Sequence, residues 1–275
     1  MKITCLAENT SHTEGIGAEH GLSLFIETEK NNILFDTGQT GLFAENAEKL
    51  GISLDTVNMV FISHGHYDHT GGLLRFVDIN KTAPVYIHKK AFEAHWHTYD
   101  DGTPPRYIGI SGVVSDDPRL ILTYKTEELS DGIYTLTDVK GDRCCPATNS
   151  CLSVSSDEGY SADDFSHEQS LVIRENGRYI LVCGCAHKGI INILDKFYEQ
   201  FGCELYAVIG GFHTMRKSGL DDRDKAIIKD ISAELDKMTA DFYTCHCTGE
   251  EAAALFAAYT DDKVKYISAG DSIYI

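Results

Sequence analysis

The sequence contains no run of apolar residues long enough to cross a bilayer, which needs about 18 or more with few charges, so a membrane span is not expected. It is short of proline, with five in 275 residues, and has a single tryptophan. A collagen-like or proline-rich disordered chain is therefore excluded. Positive charge is scarce: 24 Lys and Arg stand against 42 Asp and Glu, a formal net charge of -18. A surface of that sign repels DNA, RNA and anionic lipid at long range, so neither nucleic acid nor a membrane is the expected partner. The opening residues, Met1 to Cys5, read as a first strand and lack the long apolar stretch of a secretory signal. A cytoplasmic location is the expectation.

Apolar residues make up 43% of the chain, enough for a substantial core. The nine cysteines are an odd number, and several lie in apolar runs. A chain of this length needs no staples, so they are expected to be reduced thiols.

Strand signals come early, at Lys2 to Leu6, Gly21 to Thr28 and Asn32 to Phe35. A helical pattern from Phe43 to Leu50 ends at Gly51. Val57 to Ile62, apolar except for Asn58, reads as a strand of the kind buried on both faces. Thr70 to Val77 reads as a helix, and Pro84 to His88, Leu120 to Tyr124 and Gly132 to Thr137 as strands. The stretch from His95 to Asp117 looks like an extended loop or cover, and Gly141 to Phe165 looks irregular. A second half starts near Gln169 with a hairpin turning at Glu175-Asn176-Gly177. Helices at Ile190 to Phe201, Asp224 to Met238 and Gly249 to Tyr259 then alternate with strands at Leu205 to Ile209, Phe242 to Thr244 and Val264 to Ile267. Each half thus moves from hairpins to strand-helix alternation. Two sheets back to back with helices outside satisfy that order: one α/β domain over 1-275, with halves of roughly 1-165 and 166-275.

The densest chemistry follows the buried strand: Ser63-His64-Gly65-His66-Tyr67-Asp68-His69-Thr70-Gly71-Gly72. Three imidazoles and a carboxylate within six residues are costly to pack together unless a cation sits among them. A transition metal is the natural partner for such nitrogen and oxygen donors. Later histidines recur at apparent strand ends: His187 in Cys183-Gly184-Cys185-Ala186-His187-Lys188-Gly189-Ile190, His213 after Ile209-Gly210-Gly211-Phe212, and His246 in Cys245-His246-Cys247-Thr248-Gly249.

His64-X-His66-X-Asp68-His69 before Gly71-Gly72 resembles the signature of the metallo-beta-lactamase superfamily, and Asp36-Thr37-Gly38 resembles its early strand-end element. More narrowly, the three later segments resemble a group of metal-dependent hydrolases related to a dihydropterin-ribofuranosylaminobenzene phosphate synthase. These landmarks span residues 21 to 249. The resemblance implies a four-layer αβ/βα sandwich, with two mixed sheets, helices on the outer faces and metals at one edge between the halves. It also implies two divalent metal ions, expected to be zinc, although the same donors suit iron or manganese.

In the roles this implies, His64, His66 and His187 hold one metal and Asp68, His69 and His246 the other. A bridging hydroxide, held by Asp68, is the nucleophile. His213 is a substrate contact, a further ligand or a group steadying the leaving group. Asp36 stands behind the ligands and organises them. Cys185 stands behind them too, or is itself a thiolate ligand. No carboxylate of the second half is placed to bridge two metals; Asp138, Asp163, Asp164 and Glu168 lie upstream without the right spacing. Lys188 and Arg216 are candidates for holding a phosphate or carboxylate of the substrate. The stretch with His88, His95, Trp96, His97, Tyr99 and Tyr107 reads as either a specificity wall or an ordinary surface loop. Cys144, Cys145 and Cys151 lack the spacing of a metal-binding pair, and Asp221 to Asp224 reads as a solvated helix start.

The expected function is a metal-dependent hydrolase acting on a small, anionic ester or phosphodiester. Homo-oligomerisation is compatible with the sequence. The alternatives are a pterin- or phosphoribosyl-related synthase or transferase, which needs an aromatic slot, and a non-catalytic metal-binding protein, which needs a closed coordination shell.

Overall fold

The computed structural model describes residues 1-110 and 117-275. Residues 111-116, part of the expected cover after His95, lie outside the described residues. The chain forms two compact units that interleave in sequence. One comprises Met1–Tyr124, Leu152–Asp163 and Ser268–Ile275; the other comprises Lys125–Cys151 and Asp164–Ile267. The sequence pattern suggested a single passage near residue 165.

The first unit is built on a seven-stranded mixed sheet. In spatial order its strands are Ser272–Tyr274, Lys2–Ala7, Ser23–Glu27, Asn32–Phe35, Met59–Ile62, Val85–His88 and Leu120–Thr123. The first four pair antiparallel, and from Asn32–Phe35 onward the pairing is parallel. Parallel pairing requires crossovers, and the helices Leu42–Lys49 and Leu73–Ile79 lie in two of them. Every residue of Met59–Ile62 is buried, as its unbroken apolar run requires. Phe35 and Phe61 are register partners and stack at 5.6 Å between ring centroids. The helical pattern from Thr70 is interrupted: Tyr67–Thr70 forms one turn, and the longer helix starts only at Leu73, after Gly71-Gly72. A Cβ on Gly72 would lie 2.1 Å from the Thr37 carbonyl oxygen. Glycine is therefore needed for close backbone approach between the histidine motif and the Asp36-Thr37 loop.

The unit also carries a four-stranded antiparallel sheet ordered Gly159–Ala162, Leu152–Ser156, Ala94–His97 and Arg106–Tyr107. This corrects the expectation of irregular chain from Gly141 to Phe165. The strands are short and serine-rich, and Gly159–Ala162 is exposed throughout. No hydrophobic alternation marks them, because they have few apolar residues; Gly159–Ala162 pairs with the neighbouring Leu152–Ser156, which in turn pairs with Ala94–His97, about 60 residues away in sequence.

The second unit has its own seven-stranded sheet, ordered Val264–Tyr266, Asp241–Thr244, Leu205–Gly210, Arg178–Val182, Ser170–Glu175, Ile133–Leu136 and Glu127–Ser130. Its first four strands are parallel and the rest antiparallel. The hairpin at Asn176-Gly177 has positive φ at both residues (51° and 76°), the conformation that an Asn-Gly pair favours in a two-residue turn. Helices Ile190–Phe201, Asp222–Leu235 and Glu250–Tyr259 contribute Ile193, Phe197, Ile228, Ile231 and Phe256 to the core beside the sheet residues Val208 and Phe242. Among the described residues, no helix is long and apolar enough to cross a membrane.

Candidate metal centre

In both units the notable histidines follow the carboxyl ends of parallel strands, where open α/β sheets place their ligands. Asp36 follows Asn32–Phe35, and the His64 motif follows Met59–Ile62. His187 follows Arg178–Val182, His213 follows Leu205–Gly210, and His246 follows Asp241–Thr244. Asp36, Ala186, His213 and His246 all adopt the left-handed region, with φ between 49° and 56°. Such backbone costs of order 1–3 kcal/mol per residue and concentrates at functional sites.

In the first unit Asp36, His64 and His69 are fully buried. A buried carboxylate is tolerated only when it is well bonded. Asp36 Oδ1 accepts from the Ser63 backbone N–H (2.7 Å), and Oδ2 accepts from Ser63 Oγ (2.7 Å) and from His69 Nδ1 (2.6 Å). The Ser63 hydroxyl proton goes to Asp36, so the 2.8 Å contact between Ser63 Oγ and His64 Nδ1 has the imidazole as donor. Both rings therefore carry hydrogen on Nδ1 and present Nε2 as the lone-pair nitrogen, the arrangement by which a carboxylate orients metal-binding histidines. His64 Nε2 and His66 Nδ1 are 3.1 Å apart. Two nitrogens on one tetrahedral zinc at 2.0–2.1 Å are about 3.3–3.4 Å apart. The rings of His64 and His69 are 4.1 Å apart, and Asp68 Oδ2 lies 3.9 Å from His69 Nε2 and 3.2 Å from His20 Nε2.

The second unit orients its histidines in the same way. Asn149 Nδ2 donates to the His187 carbonyl (2.7 Å), which turns its Oδ1 toward His187 Nδ1 (3.2 Å). Thr148 Oγ1 donates to the His213 carbonyl (2.6 Å), so His213 Nδ1 donates to that oxygen (2.9 Å). Both rings again present Nε2, and their centroids are 4.1 Å apart. Phe165 stacks on His187 at 4.8 Å. Cys185 Sγ lies within 4.8 Å of a donor atom of His187 and of His246. Cys247 Sγ packs beside these residues, accepting from His213 N–H (3.3 Å) and contacting the Cys185 carbonyl (3.6 Å).

The upstream carboxylates have other partners. Glu168 accepts the backbone N–H groups of His187 (2.7 Å) and Lys188 (2.9 Å), fixing the histidine loop. Asp164 accepts from Ser166 N–H (2.8 Å). Lys188 Nζ donates to the Asp164 carbonyl at 2.9 Å. Arg216 is paired through Nε and Nη2 to Asp224 (2.6 and 2.9 Å), so the geometry gives its fork to a carboxylate of its own chain. Asp224 is correspondingly buried and held below the usual carboxylate range by the Arg216 guanidinium. The acidic helix start is thus not simply solvated: Asp221 and Asp224 form a reciprocal capping box.

All nine cysteines lie among the described residues, and none is in a disulfide. Burial pushes the Cys183 thiol up to about 12, far from thiolate chemistry at neutral pH. Cys145 contacts the Lys188 carbonyl and Asn192, and Cys151 the Thr148 carbonyl. Among the described residues, no group of three close metal donors includes Cys144, Cys145 or Cys151.

Two features went unassigned in the sequence. Arg106 is exposed, and its guanidinium lies 5.6 Å from the ring of Tyr67, inside the histidine motif. The two segments are tied by the Tyr67 N–H bond to the Ile108 carbonyl (2.9 Å). The other feature is a buried pair between His95 Nδ1 and Asp163 Oδ2, at 2.8 Å. Arg106 gave no motif signal. His95 and Asp163 are 68 residues apart and meet only through the small sheet.

The family model of the metallo-beta-lactamase superfamily matches residues 16–140. The solved structure of Tm1679, described as a metal-dependent hydrolase of the beta-lactamase superfamily, superposes with a TM-score of 0.81 at 29% identity, covering 100% of this chain and 99% of that one. Residues 16–140 thus match the metallo-beta-lactamase superfamily, and the whole chain is similar in fold to a described member of it. A Methanocaldococcus jannaschii protein named 7,8-dihydropterin-6-methyl-4-(beta-D-ribofuranosyl)-aminobenzene-5'-phosphate synthase is 29% identical over 99% of this chain and 96% of its own length. Zinc-bound PqqB from Methylobacterium extorquens shares the fold, with a TM-score of 0.61 at 12% identity over the whole of both chains. The superfamily typically binds divalent metals, and the donors of each unit fit them: imidazoles with fixed Nε2 atoms in both, with a carboxylate in the first unit and a buried thiol in the second.

Proposed function

We propose that this protein is a metal-dependent hydrolase that binds two divalent metal ions, in the first instance zinc, and cleaves a small anionic ester or phosphodiester. The observation that carries the reading is the Asp36–Ser63–His64 and Asp36–His69 network, which spends a buried carboxylate on presenting two Nε2 atoms beside His66 and Asp68. His64, His66, Asp68 and His69 would hold metal from the first unit, and His187 and His246 from the second, with Cys185 available as a thiolate donor. Bound there, the metals would supply a water of lowered pKa and polarise the scissile oxygen.

The chain's own groups have separable parts in this proposal. Asp68, whose Oδ2 faces His20 and His69, orients the attacking water and accepts its proton. His213, its Nδ1–H held by Thr148, presents an Nε2 lone pair that would serve as a further metal ligand or accept from a donor group of the substrate. Arg106 and Lys188 are the cations for the substrate's anionic group, Arg106 with the Tyr67 ring beside it. The partner is a small molecule rather than nucleic acid or a membrane, consistent with a net charge of -18.

A second reading, a synthase or transferase acting on a pterin-like ring, is favoured by the name of the M. jannaschii relative. The experiment that separates them begins with metal content per chain in protein purified without added metal or chelator, for the parent, Asp68→Ala and His187→Ala. Phosphodiesters, carboxylic esters and a dihydropterin paired with a phosphoribosyl donor are then offered to the loaded protein. The hydrolase reading expects about two metals in the parent, fewer in each variant, and ester cleavage whose KM rises about tenfold or more in Arg106→Ala, the loss of one charge-assisted contact. Coupling of the pterin without ester cleavage would favour the synthase. A folded parent without metal would defeat both metal-dependent readings.

A further inference from the structure

The paired sheet Gly159–Ala162, Leu152–Ser156, Ala94–His97 and Arg106–Tyr107 has no part in the ligand set above, yet it buries two titratable side chains. His95 is fully buried, and the Asp163 carboxylate is 3% exposed. His95 sits in Ala94–His97 opposite Val154 of Leu152–Ser156, and its carbonyl accepts from Ile108 N–H at 2.9 Å. Asp163 directly follows Gly159–Ala162, with its N–H on the Leu152 carbonyl at 3.1 Å. The sheet therefore fixes the backbone of both residues before their side chains meet.

An ionised carboxylate can only accept, so the 2.8 Å contact places the proton on His95 Nδ1 and leaves Nε2 as the lone-pair nitrogen. This is the same device that Asp36 applies to His69. It is directed toward the histidine motif: the His95 ring meets the His66 ring edge to face at 5.6 Å, and donor atoms of His66, His95 and Asp163 all lie within 4.8 Å of one another. Burying an imidazole and a carboxylate together is costly. A cation on the buried Nε2 lone pair offsets that cost and gives the oriented ring a purpose.

We propose that His95 is a ligand of a divalent transition-metal ion, taking it on Nε2 beside His66, and that Asp163 is the residue that positions it. The inference rests on the metal-binding reading above and extends it to a donor supplied by the small sheet. It also gives that sheet a function, namely to bring His95 and Asp163, distant in sequence, against the histidine motif.

The test uses the full chain as parent, His95→Ala, His95→Gln and Asp163→Asn, each checked for folding by circular dichroism. Zn²⁺ affinity is measured by competition with a chromophoric chelator, and the visible absorption of the Co²⁺-loaded protein is recorded. Loss of the ligand is expected to weaken the tightest affected site at least tenfold in both His95 variants and to shift the Co²⁺ bands. Asp163→Asn is expected to weaken it within the 10–100-fold typical of a residue supporting a metal ligand, with the Co²⁺ bands nearer those of the parent. Unchanged affinity and unchanged bands in His95→Gln and Asp163→Asn, with a parent that binds metal, would overturn the proposal and leave the hydrolase reading standing. A parent that binds no metal would overturn both. Should His95→Ala fail to fold, the other two variants decide the question.

Discussion

Asp36 shows how one side chain can set the chemistry of several others. Its two oxygens take three hydrogen bonds, and through them fix the rings of His64 and His69. Replacing it with asparagine removes the charge and puts an amide NH2 where one of the donors now points. Asp36→Asn is expected to cost 10–100-fold in Zn²⁺ affinity, as loss of a supporting carboxylate does, while the chain remains folded; competition titration checks the first and circular dichroism the second. Asp36 was legible as an organising residue because it sits in Asp36-Thr37-Gly38 at a strand end. The uniform presentation of Nε2 by His64, His69, His187 and His213 was not legible, since it depends on Ser63, Asn149 and Thr148, which carry no signal of their own. Arg216 illustrates the converse. A lone arginine near a histidine reads as a substrate contact until its bonds to Asp224 are seen.

The regular elements follow closely from local pattern. Met59–Ile62 is a strand because four consecutive large apolar residues suit burial on both faces, and Asp222–Leu235 is a helix because Ile228, Ile231 and Leu235 recur on one buried stripe. The start of that helix is fixed by Asp221, whose carboxylate accepts from Asp224 N–H at 2.8 Å while Asp224 returns a bond to Asp221 N–H at 3.1 Å. Asp221→Ala is expected to destabilise the protein by about 1 kcal/mol, the usual cost of losing such a cap, read from the midpoint of urea denaturation. What escaped local pattern was the small sheet. Leu152–Ser156 and Gly159–Ala162 have too few apolar residues to announce themselves, and they become strands only because Ala94–His97 supplies an edge.

At the scale of the whole molecule, a chain of net charge -18 gathers histidines, carboxylates and a thiol at strand ends. A ligand that binds only the folded chain stabilises it by about 2.7 kcal/mol at a hundred times its dissociation constant. For a domain of roughly this size that corresponds to about 5–10 °C in Tm. Removing metal with a chelator is expected to lower Tm by that order, and adding Zn²⁺ back to restore it, as followed by differential scanning calorimetry. An unchanged Tm in protein shown to have lost its metal would mean that the donors are stable without a cation among them.

The sequence by itself determined the α/β class, the strand-helix alternation of both halves and the His64-X-His66-X-Asp68-His69 motif with its later histidines. Those features rest on contacts between near neighbours and on the periodicity of burial, which a linear pattern records. Tertiary structure alone decided which carboxylate serves which group: Asp36 for His69, Asp163 for His95, Glu168 for the His187 loop and Asp224 for Arg216. It also decided that residues 125–151 belong with the second unit and 152–163 with the first. The physical reason is the same in each case. A hydrogen bond between buried charged or polar groups is chosen by geometry in three dimensions, and partners as far apart as the 68 residues from His95 to Asp163 leave no periodic trace along the chain.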